Sequence, residues 1–355
     1  MPKGKKQHYV PQFYLRLFSQ DKDSIRLYNI NQKKFFIAPI KNVCYESYYY
    51  DKDGKIEDAL AKLEEIASNI IYSIIKNNNI NHIKEEDYFH LLNFILAQHS
   101  RTKSMGDATI ELVNKLFDKV KPKSIKDVKL TSDHPTLDSL SASLLSAPLI
   151  LDLKPILLIN NTKKDFITSD NPAILFNSFF NDKIDGGTTG FNQTGLQIFY
   201  PISQKLLLLL YDNDFYKIIG ENNSTLIIKK EEDVRRMNGL QILHCDEDIY
   251  YLNLDIANDL KLQHRQIGFK RPKQKIELET IGIRKEEGKT HELIRNSSTK
   301  IKYNLDKLSF MKNKNNVDKE FGLRNEGLLE QHKKFVEDLI KEKVRERETN
   351  KNKEK

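Results

Sequence analysis

A histidine, an arginine and an aspartate that lie far apart in the chain could together act on a phosphodiester. His8 could serve as general acid or general base, because the pKa of histidine lies near neutral pH. Arg101 could neutralise a phosphoryl oxygen, and Asp170 could orient His8 or hold a divalent metal ion. Gln12 shares the aromatic segment of His8. We predict catalytic roles for these four residues and leave the cofactor open, with a divalent metal as one option.

Four more polar side chains are predicted to bind the ligand: Glu64, Gln98, Ser169 and Asn171. We expect all eight to meet in one cleft between a helical half and a sheet half of the protein. The alternative is an internal polar network that locks the N-terminal segment into the core, because buried polar groups need hydrogen-bond partners.

Three polar side chains also have ordinary structural interpretations. Asp170 could bond its own backbone in the turn at residues 168–172. Glu64 lies at the edge of an apolar helix stripe and could simply reach water. His99 lies on an apolar helix face, and we interpret it as a core histidine with satisfied hydrogen bonds.

The segment from His8 to Phe18 must position the first of these side chains. It is dense in aromatic and apolar residues and follows a short basic lead. We expect it to be drawn into the body of the protein, whereas most N-termini fray. His8 and Gln12 would be drawn in with it, and both then need hydrogen-bond partners.

The helical half is predicted to span residues 51–148. Apolar residues recur at helical spacing from about Glu57 to Ile75. The helix from Glu85 to Arg101 is apolar on two faces, which is typical of a helix in the middle of a domain. Arginine is rarely buried without a partner, so Arg101 and its neighbour Gln98 are informative.

The sheet half is predicted to span residues 150–269. Short apolar runs separated by Gly, Asn and Asp turns predict strands at 155–159, 166–168, 197–200, 205–211, 225–228 and 249–252. Two earlier runs predict an N-terminal β-hairpin, and helices are expected near 234–243 and 255–267. The sequence thus predicts an α+β protein with one domain over residues 1–269, made of the hairpin, a helical bundle and a mostly antiparallel sheet with flanking helices.

Residues 270–355 are predicted to be an appendage. They are rich in lysine and poorly periodic, which favours a basic linker, then a charged helix from about Glu320 to Arg347 and a disordered tail. The run from Lys270 to Lys275 could contact nucleic-acid phosphates or be a solvated surface. The charged helix could join a protein partner.

Composition narrows the class of protein. The net charge of +8 and pI of about 9.0 lean towards an anionic partner such as nucleic acid or a nucleotide. The two cysteines, Cys44 and Cys245, fit a reduced cytoplasm and cannot form a four-cysteine metal site. No apolar run approaches the ~20 residues that cross a bilayer, and no signal peptide is evident. We therefore expect a cytoplasmic protein without a membrane partner.

The opening stretch resembles the signature of a prokaryotic domain family of unknown function, His-Tyr-Val-Pro-Gln-x-Tyr-Leu-x-x-Phe. Matching residues run from His8 to Phe18, and further likeness lies at Gln98–Thr102, at the Thr-Ser-Asp-Asn-Pro run of residues 168–172 and at Tyr200–Ser203. The resemblance covers roughly Gln7 to Asn258, and all eight candidate site residues lie within it. It implies a bacterial or phage cytosolic protein, sometimes among mobile or defence genes, without an established activity.

The sequence leaves two kinds of function open. The first is a nuclease-like effector that acts on nucleic acid or nucleotides, with a role in phage defence. The second is a non-enzymatic binding or regulatory module whose polar cluster is structural or holds a ligand. The sequence contains no phosphate-loop motif, no zinc-protease helix pair and no Gly-x-Ser-x-Gly elbow, so these classes of enzyme are not indicated.

Overall fold

The computed structural model describes residues 6–120, 134–286, 289–314 and 320–353. Helices and mostly antiparallel sheets confirm the predicted α+β class. The helices in these residues are α1 (Gln12–Arg16), α2 (Lys55–Asn77), α3 (Glu85–Ser100), α4 (Lys103–Val120), α5 (Pro135–Leu145), α6 (Glu231–His244), α7 (Ala257–Ile267) and α8 (Glu326–Lys353). The strands are β1 (Lys6–His8), β2 (Ser24–Asn29), β3 (Lys34–Pro39), β4 (Tyr45–Ser47), β5 (Lys154–Asn160), β6 (Thr168–Ser169), β7 (Ile174–Phe176), β8 (Gln197–Pro201), β9 (Leu206–Tyr211), β10 (Tyr216–Ile218), β11 (Thr225–Ile228), β12 (Asp248–Tyr251), β13 (Ile276–Glu286), β14 (Lys289–Ser298) and β15 (Met311–Asn313). None of the helices in the described ranges is long and apolar enough to cross a membrane.

The main core is built on both faces of a five-stranded sheet in the order β11-β5-β9-β8-β7. Neighbouring strands are antiparallel except for β11 and β5. Every residue of β9 is buried; its even-numbered leucines pack on the side of α2 and α3, and its odd-numbered leucines pack on the side of α6. Burial on both faces explains why this strand is an unbroken apolar run in the sequence.

A second sheet joins the two ends of the domain. Its order is β3-β2-β12-β6, so the predicted N-terminal hairpin pairs with a strand that follows α6. Leu27 lies opposite Tyr250 in this sheet, and the Tyr28 hydroxyl lies 3.0 Å from His264 Nδ1 of α7. Helix α7 therefore covers the outer face of the hairpin.

The helical half surrounds α3. Residues 94–97 of this helix are completely buried, and α3 packs against α2 and α5. This arrangement confirms that the doubly apolar pattern marks a central helix.

The N-terminal segment is drawn into the protein as expected. β1 pairs with β4, and the buried side chain of Gln7 donates to the backbone oxygen of Asp51 (2.8 Å) and accepts from the Tyr50 amide (2.7 Å). Tyr14 is fully buried and donates to the backbone oxygen of Pro201 (2.6 Å). The segment thus connects the helical half to the central sheet.

The region after residue 269 departs from the predicted linker. Strands β13 and β14 form a long antiparallel hairpin, and β15 pairs with β10. Between them, Leu305, Leu308 and Phe310 enter the core beside α6. The expected charged helix is present as α8, but it is helical through Lys353 where a disordered tail was predicted. Residues 287–288, 315–319 and 354–355 of this region lie outside the described residues.

The composition of these elements explains why the sequence did not indicate strands here. β13 and β14 alternate charged residues with exposed apolar ones such as Ile281 and Ile283, so no buried face marks them in the sequence. The core residues of 301–311 are irregularly spaced and follow neither the period of a helix nor that of a strand.

Candidate functional site

His8 and Gln12 lie together at the surface end of the N-terminal segment. Their Nε2 atoms are 3.5 Å apart, and Gln12 Oε1 accepts a hydrogen bond from Arg16 (3.1 Å). The pKa of His8 is lowered to about 4, mainly by burial, and the positive charges of Lys6, Arg101 and Arg16 act in the same direction. His8 is therefore neutral at pH 7, and its role as general acid or base stays a prediction.

Arg101 unites three of the predicted site residues. Its side chain is 1% exposed; Nη1 donates to Glu64 Oε1 (2.7 Å) and Nη2 donates to Gln98 Oε1 (3.1 Å). Gln98 Nε2 in turn donates to the backbone oxygen of Tyr9 (2.9 Å). Arg101 thereby links α2, α3 and the N-terminal segment, as the network interpretation requires.

Asp170 serves the connection between α6 and β12. Its Oδ1 accepts from the Asp246 amide (2.7 Å), and its Oδ2 accepts from the amides of Glu247 (2.6 Å) and Asp248 (2.9 Å). Burial raises the pKa of Asp170 to about 7, although these amides favour the carboxylate. Both oxygens of Asp170 are thus held by backbone amides, and its predicted roles in orienting His8 or holding a metal stay predictions.

Ser169 and Asn171 flank Asp170 and bond to α6. Ser169 Oγ donates to Gln241 Oε1 (2.7 Å), and Asn171 Nδ2 donates to the backbone oxygen of His244 (3.1 Å). Hydrogen bonds therefore join the eight predicted residues into three groups, His8 with Gln12, Arg101 with Glu64 and Gln98, and residues 169–171 at the end of α6, where a single cleft was expected. The group at the end of α6 is called the second group below.

A cavity of about 320 Å³ lies beside the second group. Its walls come from α3 and α4, the segment after β6, the loop at residues 187–191, the end of α6, and the two ends of the β13–β14 hairpin. The polar lining residues used below are His99, Asn171, His244, Arg271, Lys275 and Thr299.

His99 presents a defined tautomer to this cavity. Its Nδ1 lies 3.0 Å from the backbone oxygen of Ala173, which can only accept, so Nδ1 carries the proton. Burial lowers the pKa of His99, and the neutral ring then has a lone pair on Nε2. The interpretation as a core histidine is thus right for Nδ1 only, since the ring also lines the cavity.

His244 is the second histidine of the cavity. Burial is the main cause that lowers its pKa to about 3, and the positive charge of Arg271 acts in the same direction. Within the described residues, its Nε2 is buried without a hydrogen-bond partner, and the same holds for Asn171 Oδ1 and Thr299 Oγ1. Each unpaired buried polar group costs about 1–3 kcal/mol, and these three atoms all belong to residues of the cavity wall.

Positive charge also gathers at the cavity. Arg271 Nη2 donates to the backbone oxygens of Cys245 (2.7 Å) and Asp246 (2.8 Å), and Lys275 Nζ lies 2.9 Å from Asp246 Oδ1. With Lys300, the described lining has three cations and one carboxylate, that of Asp246. Lys275 Nζ also lies 3.1 Å from Asp107 Oδ2, so two carboxylates face this cation. One positive charge remains in excess, which suits the cavity to an anion.

Sequence reasoning named Asn171 but missed His244, Arg271, Lys275 and Thr299 as site residues. His244 was detectable as a polar residue that ends an otherwise apolar helix face. Arg271 and Lys275 belong to the basic run for which nucleic-acid contact or simple solvation was expected, and the structure places both in the cavity wall. No feature of the sequence around Thr299 marked it as a site residue. Over the described ranges, no group of three or more His, Cys, Asp or Glu side chains is arranged to hold a metal ion.

The pH dependence of the free energy of unfolding in acid should show whether His244 is neutral in the folded protein. Between its folded pKa of about 3 and its ordinary value of 6.5, the unfolded chain binds a proton that the folded protein does not. The free energy of unfolding therefore rises with pH in this window, by up to about 1.4 kcal/mol per pH unit from this group. We expect His244→Gln to flatten the profile between about pH 4 and about pH 6 in urea denaturation. An unchanged slope would contradict a neutral, buried His244.

Comparison with known proteins bears on the N-terminal three quarters of the chain. The model of a family described as "Protein of unknown function (DUF4238)" matches residues 6–255. No curated protein and no solved structure matches the chain. The matched range includes His99, Asn171 and His244 and ends before Arg271, Lys275 and Thr299.

Proposed function

We propose that this chain, which belongs to the DUF4238 family of proteins of unknown function, is a nuclease-like enzyme that hydrolyses a phosphate ester of a nucleotide. The observation that carries the proposal is the cavity where a neutral His99 of fixed tautomer shares the wall with Arg271 and Lys275. A base and two cations at one small cavity are what phosphoryl chemistry needs.

His99 is assigned the role of general base. Its Nε2 takes a proton from a water molecule while the water oxygen forms a bond to phosphorus. The bond between phosphorus and the leaving oxygen breaks, and that oxygen receives the proton back from the imidazolium. Arg271 and Lys275 supply positive charge for the phosphoryl oxygens as negative charge develops on them.

The size of the cavity favours a nucleotide over a polynucleotide. Its volume of about 320 Å³ lies at the lower end of the range of about 300–1,000 Å³ that small-molecule sites occupy. The wall also includes apolar side chains such as Met105, Phe176 and Phe191, which would cover an uncharged body attached to the phosphate. His8, Gln12, Arg101 and Asp170 then support the fold around this site.

The test compares two histidines in the purified full chain. His99→Gln removes the base, and His264→Gln is the matched control, because burial lowers the pKa of His264 as well and this ring lies on α7 outside the cavity. Nucleoside mono-, di- and triphosphates, cyclic nucleotides, RNA and DNA are followed for hydrolysis. We expect His99→Gln to lose at least about 100-fold in rate at an unchanged melting temperature, and His264→Gln to keep its rate. A wild-type chain that hydrolyses none of these, or an equally active His99→Gln, overturns the proposal.

A binding module without turnover is the second candidate. One observation favours it: the pKa values of His99 and His244 are both lowered, so neither ring is a protonated acid at pH 7 in the unliganded protein. Such a module would bind a nucleotide in titration calorimetry and leave it intact over hours, in the wild type as in His99→Gln.

The proposal extends to phage defence, because the sequence resembles a family found among mobile and defence genes. A bacterial host that expresses the wild type should survive phage challenge better than one that expresses His99→Gln at an equal soluble level. Equal survival of the two strains would remove defence from the proposal and leave the hydrolysis assay as its test.

A further inference from the structure

We infer that the segment after the family-matched range recognises the phosphate, and that it thereby selects a nucleotide ligand for the cavity. This inference rests on the proposed function and names the part of the chain that sets its substrate class. The observation behind it is that one cavity wall holds residues from both parts of the chain. Arg271 and Lys275 lie beyond residue 255, and His99 and His244 lie within the matched range.

The two parts of the chain contribute different chemistry to the cavity wall. In the described lining, every lysine and arginine comes from residues after 255, whereas both histidines and the single carboxylate come from residues 6–255. The matched part thus provides the base, and the later segment provides the charge that attracts a phosphate.

Backbone hydrogen bonds hold Arg271 in place and, within the described residues, use only one of its three nitrogen atoms. Both of its bonds, to the backbone oxygens of Cys245 and Asp246, use Nη2. A guanidinium has five N–H donors, and within the described residues Nη1 and Nε make no hydrogen bond, so they remain for a ligand. Arginine is the side chain best shaped to grip two phosphate oxygens at once.

The base of the β13–β14 hairpin adds Lys275 and Thr299. The Thr299 amide donates to the backbone oxygen of Lys275 (2.8 Å), which holds the two residues side by side. Thr299 Oγ1 is buried and has no hydrogen-bond partner in the part of the chain that the structure describes. The hairpin itself is held to α4, since the Lys275 amide donates to Glu111 (2.9 Å) and Lys115 Nζ donates to the backbone oxygen of Ile276 (2.5 Å).

A nucleotide matches this lining better than a free phosphate ion does. The lining combines cations with apolar residues contributed by α4, β7 and the loop at 187–191. A ligand that satisfies both kinds of residue carries a phosphate on an uncharged, partly apolar body, as a nucleoside monophosphate does.

The experiment measures binding separately from turnover. Adenosine 5′-monophosphate, adenosine and inorganic phosphate are titrated into the full chain by calorimetry, using the wild type, Arg271→Gln and Lys275→Gln. Arg265→Gln is the matched control, because this arginine is exposed on α7 away from the cavity. Melting temperatures verify that each variant is folded, and Lys275→Gln serves if Arg271→Gln is not.

We expect Arg271→Gln and Lys275→Gln each to weaken binding of adenosine 5′-monophosphate at least about tenfold, and Arg265→Gln to leave it unchanged. Binding of adenosine should be weak and equal in all four proteins. If the wild type binds the monophosphate and both cavity variants bind it equally well, the inference is overturned while the proposed function stands. If those variants lose binding but His99→Gln hydrolyses nucleotides as the wild type does, the proposed base is wrong and the inference stands. A wild type that binds neither the nucleotide nor phosphate overturns both.

Discussion

Replacing Arg101 with alanine is expected to lower the free energy of unfolding by about 3–5 kcal/mol, the loss typical of breaking a buried ion pair by removing one partner. The change leaves the Glu64 carboxylate without its cation and Gln98 Oε1 without its donor. It also opens a void beside the buried Phe94 ring of α3, over which the guanidinium lies, and a void adds to the loss. Urea denaturation of the wild type and the variant measures the difference.

Arg295→Ala is the matched control for this prediction. Arg295 is 40% exposed and pairs with the exposed Glu279, so its loss should cost about 1 kcal/mol or less. An Arg101→Ala protein as stable as Arg295→Ala would show that the Arg101 network does not anchor the fold. Arg101 does not line the cavity, so Arg101→Ala should lose activity only to the extent that the protein unfolds.

Asp170→Ala is expected to destabilise the protein by about 3 kcal/mol or more, at about 1 kcal/mol or more for each backbone amide left without an acceptor. The three amides of residues 246–248 lie between α6 and β12, so their loss loosens the turn that brings β12 back to β2. The exposed Asp182 provides the control, and Asp182→Ala should change stability by no more than about 0.5 kcal/mol. Thermal and urea unfolding of the two variants measure this difference in stability. Equal stability would contradict the structural role of Asp170.

Periodicity in the sequence was sufficient to locate most elements of the domain. The stripe of α2 and the doubly apolar pattern of α3 each extend over enough residues to indicate a helix. The apolar run of β9 has no periodicity, and its short length indicates a strand. Their pairing was not predictable in the same way. That β2 would lie beside β12 depends on contacts between residues far apart in the chain, and periodicity carries no such information.

The candidate site was predictable only in part. Buried polar residues such as Arg101 and Asp170 could be found because they interrupt apolar segments, but the sequence does not say which partners they meet. Asp170 meets backbone amides, which leave no trace in residue types. Arg271 shows the opposite difficulty, because a cation in a basic run looks like a solvated charge until the fold encloses it.

The pairing of the first hairpin with a late strand also has a consequence for synthesis on the ribosome. Asn29 and Asp248, which hydrogen-bond across this sheet, are separated by 219 residues. At about 5–20 residues per second, the ribosome needs roughly 10 to 40 s to make that stretch, and for this time the inner edge of β2 has no neighbour. An unpaired strand edge invites association with other chains. Slower initiation and a lower growth temperature, which keep fewer nascent chains side by side, should therefore raise the soluble yield of this protein more than that of a protein whose first hairpin pairs locally.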